Sequence, residues 1–202
     1  MTIIKQYTVN IGNYDSVRKD IPCITNIDLF KSNARNSRLP KILSHKYIKA
    51  DISVYWDANH FLKPNLDFEQ TILETLGDFD IVAQRCSIGR DCVYQEIEAA
   101  KTRVNSHDEI ELLTKQSEYY RSIGFPEHCK TLAGYQPLIR RHNDVVKAFN
   151  EAWWAEICRY SYRDQCSFPV ILSQFPEIKI KWMDDFTQIV YRTQRHKVKS
   201  LI

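Results

Sequence analysis

The chain has 202 residues, of which 44% are hydrophobic and 26% are charged, and its formal net charge is +3. This composition is typical of one globular domain, and the charge is milder than that of a dedicated nucleic-acid-binding domain. The five glycines lie too far apart for G-x-G-x-x-G or G-x-x-x-x-G-K-[ST], which excludes a dinucleotide-binding fingerprint and a P-loop. A nucleotide phosphate would therefore have to be held by a metal or by basic side chains.

The first half of the chain is predicted to contain short strands, loops and one helix. Residues 28–46 are polar and basic with weak periodicity, so we expect a loop there with one helical turn. Asp67 is a suitable N-cap for a helix, and Gly77 is a suitable residue to end it. Apolar and β-branched runs predict strands at residues 3–9, 21–26, 51–56 and 79–84.

The second half of the chain is predicted to alternate helices with two further strands. The first of these strands is expected to lie at an edge of the sheet or to begin late, because Pro137 cannot donate to a ladder. The predicted helices cover about residues 91–104 and the segments after Ser106 and Asn143, which are predicted to be the N-caps of those segments. The predicted strands are 135–139 and 169–173. The alternation predicts an α/β fold with a mostly parallel central sheet flanked by helices.

The C-terminal segment is basic, since residues 179–199 hold six Lys or Arg against two Asp. We therefore predict a domain over residues 1–175 and a basic extension over residues 176–202. The extension suits a solvated face or peripheral contact with anionic lipid, while a nucleic-acid-associated role remains a third hypothesis; given the mild net charge, we expect no nucleic-acid partner. With no apolar run of 18 residues and no signal-like N-terminus, we expect no membrane span and a cytoplasmic location.

Polar residues follow directly on the apolar strand predicted at residues 51–56. In open α/β sheets, ligands bind beyond the carboxyl ends of strands, and the oxygens of Asp57 and Asn59 suit a hard cation such as Mn²⁺ or Mg²⁺. His142 follows another predicted strand and would complete such a site, with Arg141 beside it for a phosphate. The alternatives are a capped turn at the first pair and a solvated basic turn at the second.

Two further segments place charged residues at the ends of predicted elements. The literal D-x-D at residues 78–80 comes before a strand, so we expect it at the wrong edge of the sheet for a metal site. Arg90, Tyr94 and Glu96 lie around a helix start, where an arginine and the helix N-terminus together suit an anion. The alternative for these three residues is an exposed first turn with a local charge pattern.

An aromatic-rich helix leads to a carboxylate with polar neighbours. Trp154 falls off the apolar stripe of that helix, and an aromatic face of this kind can stack on a sugar ring. Asp164 lies between Arg163 and Gln165, which suits binding sugar hydroxyl groups or accepting a proton. The alternative is an ion pair that ends the helix.

Taken together, several segments resemble a family of small GT-A-like glycosyltransferase domains with bacterial, viral and plant members. The resemblance covers about residues 5–172 and implies a GT-A-like, Rossmann-type sandwich. The segments that carry it are YT…GNYD (7–15), PKILSHKY (40–47), SVYWDANH (53–60), GRDCVYQE (89–96), Gln116…Tyr120 leading to GFP (124–126), IRRHN (139–143), WWAEI (153–157) and YRDQCSF (162–168).

The resemblance implies sugar transfer from a nucleoside diphosphate sugar, with a divalent cation, Mn²⁺ or Mg²⁺, to a glycan, glycolipid or other acceptor. Asn59 stands where the family motif has a second aspartate, so a non-catalytic nucleotide- or glycan-binding module remains the alternative. The roles expected are donor binding by Tyr7, Thr8, Asp15, Arg90, Tyr94, Glu96 and Arg141, metal binding by Asp57, Asn59 and His142, catalysis by Asp164 and Gln165, and acceptor binding by Trp154 and Arg163.

Overall fold

The computed structural model describes residues 1–15, 17–86, 90–134 and 137–192. The strands in these ranges are β1 (Ile4–Val9), β2 (Cys23–Ile24), β3 (Ile52–Trp56), β4 (His60–Leu62), β5 (Ile81–Gln84), β6 (Leu138–Arg141), β7 (Ile180–Met183) and β8 (Val190–Arg192). The helices are α1 (Asn33–Ile42), α2 (Ser44–Tyr47), α3 (Phe68–Leu76), α4 (Val93–Lys101), α5 (His107–Ser122), α6 (Asp144–Arg159) and α7 (Asp164–Leu172).

Six of these strands form the central sheet in the order β2-β1-β3-β6-β5-β7. β6 is antiparallel to both of its neighbours, whereas the other pairs are parallel. β1, β3, β5 and β7 therefore point the same way, and their carboxyl ends share one edge of the sheet. The predicted α/β fold with a mostly parallel sheet is confirmed. β4 and β8 form a separate antiparallel ladder.

Two layers of apolar side chains cover the sheet, because successive residues of a strand face opposite sides. Val54 and Trp56 of β3 pack with α3 on one face. Tyr55 packs with Tyr7 of β1 and with α6 and α7 on the other. A third cluster joins α4, α5 and α7. Every residue of β3 is buried, as expected for a central strand.

Three predicted helix N-caps are confirmed by the hydrogen bonds that their side chains accept. Asp67 accepts from the Gln70 amide at 2.8 Å, and Asn143 accepts from the Val146 amide at 3.0 Å. Ser106 caps α5 in the same way. The caps were predictable from the sequence because an N-cap side chain accepts its hydrogen bond from a backbone amide only three residues further along the chain.

The segment predicted as a loop at residues 28–46 instead contains α1 and α2. Ser32 caps α1, and the Asn36 side chain accepts hydrogen bonds from the amides of Leu29 and Phe30 at 3.1 and 2.9 Å. The buried side of α1 includes Asn36 and Lys41 as well as apolar residues. Because polar residues lie on the buried side, the sequence of α1 lacks the apolar periodicity that identifies an amphipathic helix.

The strand predicted at residues 169–173 is wrong, because this stretch is the C-terminal part of α7. Every residue from Cys166 to Leu172 is buried. A short helix that is buried all round has no polar stripe, so its sequence cannot be distinguished from a buried strand by periodicity. Pro169 lies inside the helix.

The central sheet extends past residue 175, where the basic extension was predicted to begin. β7 pairs with β5 in parallel, with Ile81 opposite Ile180. The amide of Lys179 donates to the Asp80 carboxylate at 2.9 Å. Residues 193–202 of the predicted extension lie outside the described ranges.

No helix within the described ranges combines the length and apolarity that crossing a bilayer requires.

Candidate functional site

A cluster of charged side chains lies at the carboxyl end of β3, where α1 meets the start of α7. The Asp164 carboxylate is 5% exposed and forms an ion pair with the Lys41 ammonium group. The Nε atom of Arg38 lies 3.3 Å from Oδ1 of Asp164. Asp164 is therefore a buried carboxylate with two cations from one helix.

The second carboxylate of the cluster belongs to Asp57, the residue after β3. Its Oδ1 accepts a hydrogen bond from the Tyr55 hydroxyl at 3.1 Å. The Lys41 Nζ atom lies 5.1 Å from the centroid of the Tyr55 ring. Arg38 interacts electrostatically with Tyr55, Asp57 and Asp164. Asp57 and Asp164, both predicted from the sequence, thus both act electrostatically on Arg38 of α1.

The electrostatics of the cluster fix its protonation at neutral pH. Burial acts to raise the pKa of Asp164, but Lys41, Arg38 and Arg163 together hold that pKa well below its usual range. Burial, and then the nearby Asp57 charge, raise the pKa of Tyr55 well above its usual value. Asp164 is therefore ionised, and Tyr55 is a protonated hydrogen-bond donor.

Buried polar groups of the sheet hold the end of α1 in place. Arg140 of β6 is fully buried and donates to the carbonyl of Ile42 at 2.8 Å, to the side chain of Asn150 at 2.7 Å, and to the carbonyl of Lys41. The Tyr7 hydroxyl donates to the carbonyl of Pro40 at 3.0 Å. These bonds position Lys41 before any ligand binds.

The residues near β1 that were predicted to bind the donor are mostly buried or hydrogen-bonded to other parts of the fold. Tyr7 and Thr8 are fully buried. Burial raises the pKa of Tyr7 to about 12, so its hydroxyl stays protonated beneath α1. The amide of Asp15 donates to the Asn10 side chain at 3.1 Å, and that side chain donates to the Asp15 carbonyl at 2.6 Å.

Arg141 and His142 lie at the other end of the sheet from Asp57. β6 is antiparallel to β3, so Arg141 pairs with Ile52, the first residue of that strand. The His142 ring lies 2.9 Å from the Ser53 hydroxyl, and Arg141 donates to the carbonyl of Phe79 at 2.9 Å. β3 spans roughly 15 Å. The structure therefore does not bring His142 and Asp57 into one metal site.

The remaining donor set does not fit a divalent cation. Asn59 is buried, and Asp57 already accepts a hydrogen bond from Tyr55 and interacts electrostatically with Arg38. Across the four described ranges, no group of three or more His, Cys, Asp or Glu residues is arranged to hold a metal. A cation placed here would have one carboxylate and a nearby guanidinium, which is poor chemistry for Mn²⁺ or Mg²⁺.

The start of α4 is held by contacts of Arg90, Tyr94 and Glu96 within the fold. These residues do not form the exposed first turn that was the alternative prediction. The Glu96 carboxylate is buried and accepts from two nitrogens of Arg90 at 2.8 and 2.7 Å. The Tyr94 hydroxyl donates to the carbonyl of Phe125 at 2.7 Å. Arg90 is thus already paired with a carboxylate of its own segment.

The other predicted residues lie near the start of α7 or on α6. Gln165 donates to the carbonyls of Ala133 and Gly134 at 3.1 and 3.2 Å, so it fixes the loop before β6. The Arg163 amide donates to the Ser161 hydroxyl at 3.0 Å. Trp154 is half-buried, with its ring 6.0 Å from that of Phe30. Of these residues, only Arg163 acts on Asp164 electrostatically.

Sequence reasoning missed Arg38 and Lys41, because their segment was predicted to be a loop. Their spacing of three residues would have placed both cations on one side of a helix.

A cleft of about 500 Å³ lies elsewhere, between residues 123–131 and 169–180, and its apolar lining includes none of the charged residues of the cluster. This cleft is therefore separate from the charged cluster.

One family of known proteins matches most of the chain. The sequence matches the TOD1/MUCI70, glycosyltransferase-like domain over residues 20–199. The chain belongs to this family. The TOD1/MUCI70 match includes α1, β3 and α7, which carry the charged cluster, and it continues past residue 175 through β7 and β8. No curated protein matches the chain.

Several solved structures resemble this TOD1/MUCI70 domain at low identity. A glycosyltransferase involved in glycosylation of the major capsid of PBCV-1 has 8% identity and a TM-score of 0.45, with 90% of this chain and 82% of that chain covered. A197 from STIV has 12% identity and a TM-score of 0.41, with 95% and 86% covered. The 4-diphosphocytidyl-2C-methyl-D-erythritol synthase from Anaerococcus prevotii has 11% identity and a TM-score of 0.44, with 96% and 94% covered.

Proposed function

We propose that this chain is a glycosyltransferase that moves a sugar from a nucleoside diphosphate sugar to a hydroxyl group of a glycan, glycolipid or other acceptor. Membership of a glycosyltransferase-like family supports the reaction class. The observation that carries the proposal is the meeting of Asp57 and Asp164 with Arg38 and Lys41 at the carboxyl end of β3. This edge is where open α/β sheets bind their ligands.

The proposed role of Asp164 is to bind and orient sugar hydroxyl groups. Its lowered pKa makes it a weak base, whereas an efficient general base has a pKa near the working pH. An ionised carboxylate is a strong acceptor for hydroxyl donors. Asp57, which accepts a hydrogen bond from the Tyr55 hydroxyl, is assigned the same kind of contact with the donor.

In the proposed reaction, the acceptor oxygen forms a bond to the anomeric carbon, and the bond from that carbon to the diphosphate oxygen breaks. The proton of the acceptor hydroxyl leaves on the nucleoside diphosphate, because the Asp164 carboxylate is too weak a base to retain it. The barrier is lowered by fixed positive charge beside the departing diphosphate.

The test is a transfer and hydrolysis assay with a panel of nucleoside diphosphate sugars. Asp57→Asn and Asp164→Asn are expected to lower turnover at least tenfold. Asp78→Asn is the matched control, because Asp78 is exposed before β5, at the far end of the sheet. Equal turnover by all three variants and the unmodified chain would refute the assignment.

The non-catalytic alternative is favoured by Asn59, since an amide replaces the carboxylate expected in the motif. A module of that type would bind a nucleotide or glycan with the same dependence on Asp57 but would release no free sugar and form no product. Calorimetric binding without turnover, over the whole donor and acceptor panel, would select this alternative.

A further inference from the structure

Several cations act on the single carboxylate of Asp164. Arg38, Lys41 and Arg163 all act on Asp164, and Asp57 supplies the other carboxylate that Arg38 faces. Three cations thus act on the Asp164 carboxylate, and two of them, Lys41 and Arg38, lie within ion-pair distance of it. Removing charges from water is costly unless they are compensated, so a site with surplus positive charge favours an anionic ligand over a further cation.

Two of the cations are placed to contact a ligand. The Arg38 side chain is 20% exposed, and the Lys41 side chain is 8% exposed. Arg140 and Tyr7 hold the backbone of the same helix turn through the carbonyls of Lys41 and Pro40. The cations are therefore held in position, which reduces the ordering cost of binding.

The geometry of Asp164 suggests that it occupies the place of a ligand. Its carboxylate accepts from the Lys41 ammonium group and faces the Arg38 guanidinium group, which are the contacts that a phosphate oxygen would make. A bound phosphate would compete with the carboxylate for both cations. The carboxylate would then be released toward the sugar.

We propose that Arg38 and Lys41 bind the diphosphate of the donor directly and that this site needs no divalent cation. This inference rests on the proposed function and deepens it by naming what neutralises the leaving group. It departs from the metal site expected from the sequence, because His142 lies at the opposite end of β3 and Asp57 interacts electrostatically with the Arg38 guanidinium group.

The test is calorimetric titration of the full chain with UDP, GDP and inorganic pyrophosphate, in EDTA and separately in Mn²⁺. We expect one of the nucleoside diphosphates to bind in EDTA with a Kd within about threefold of its value in Mn²⁺. Lys41→Met combined with Asp164→Asn removes a cation together with its partner, and it should weaken binding at least tenfold. Lys46→Met is the control, since Lys46 is exposed and pairs with Glu151 on the surface.

Asp164→Asn alone is expected to change the diphosphate affinity in the opposite direction from the double variant. It leaves both cations without their carboxylate, so diphosphate binding should become about tenfold tighter, which a purely structural role of the cations would not produce. Should this variant unfold, the double variant carries the test.

The outcomes separate this inference from the proposed function. Binding that appears in Mn²⁺ and vanishes in EDTA overturns the metal-free site but leaves a glycosyltransferase in place. Unchanged binding by the double variant also overturns the role of α1. Absence of nucleotide binding and of turnover, with or without Mn²⁺, overturns both.

Discussion

The Arg38 guanidinium group lies 3.3 Å from the Asp164 carboxylate, which joins α1 to the first turn of α7 beneath the carboxyl end of β3. Lys41, one helical turn after Arg38, pairs with the other oxygen of the same carboxylate. Two helices that are distant in sequence are thereby joined at one buried ion cluster, so this cluster affects both the stability of the fold and the chemistry of the site.

Replacement of Asp164 by Asn is expected to destabilise the protein. The change leaves two largely buried cations without their partner, which costs about 3–5 kcal/mol in comparable clusters. Urea denaturation at pH 7 measures the loss. Adding Lys41→Met should restore part of it, because one of the uncompensated charges is removed. Additive effects of the two substitutions would contradict the pairing.

Acid should unfold the protein partly through Asp164. The folded-state pKa of this group is lowered, so its contribution is complete above the unfolded-state pKa of about 3.9 and is lost as the pH falls below it. Stability measured from pH 5 to pH 2 should therefore fall less steeply in the double variant Lys41→Met/Asp164→Asn. Parallel curves would show that other carboxylates govern acid unfolding.

His142 should make stability depend on pH in a higher range. Burial, then the charges of Arg140 and His45, lower the pKa of His142 to about 4, so the folded state keeps the ring neutral. The unfolded state takes up a proton near pH 6.5, so stability should fall as the pH drops from 6.5 toward 4, by about 1–2 kcal/mol allowing for partial exposure.

Urea denaturation of His142→Gln measures that dependence, since glutamine keeps a hydrogen-bonding group near Ser53. The slope between pH 6.5 and pH 4 should become shallower. His107→Gln is the control, because His107 is exposed at the start of α5. A slope that His142→Gln leaves unchanged would show that another group is responsible, such as His45, whose pKa burial also lowers.

Gly134→Ala should disturb the loop that Gln165 holds. An added Cβ would lie 2.7 Å from the carbonyl oxygen of Arg85, which is backbone and cannot rotate away. Overpacking of this kind costs about 1–3 kcal/mol. Thermal denaturation measures the loss, and Gly124→Asn is the control, because its Cβ would meet open space and asparagine tolerates a positive φ. A smaller loss in Gly134→Ala than in Gly124→Asn would contradict this account.

The sequence predicted those features that depend on neighbouring residues. Asp67 and Asn143 were found as N-caps because a capping side chain bonds to an amide three residues away. Asp57 was placed at the end of a strand because the apolar run of β3 stops there. Asp164 was recognised by its polar neighbours and by the family resemblance, and the structure places it beside Arg38, which also faces Asp57.

The tertiary structure decided the features that depend on long-range pairing and burial. Because β6 lies antiparallel between β3 and β5, His142 is at the opposite end of the sheet from Asp57, and no local pattern encodes that direction. Arg38 and Lys41 of α1 were not predicted as site residues, because their helix buries polar side chains against the sheet and lacks a clear apolar pattern. Sequence alone thus identified the two carboxylates, whereas the fold determined which charges surround them, since electrostatic partners are set by distance in space rather than along the chain.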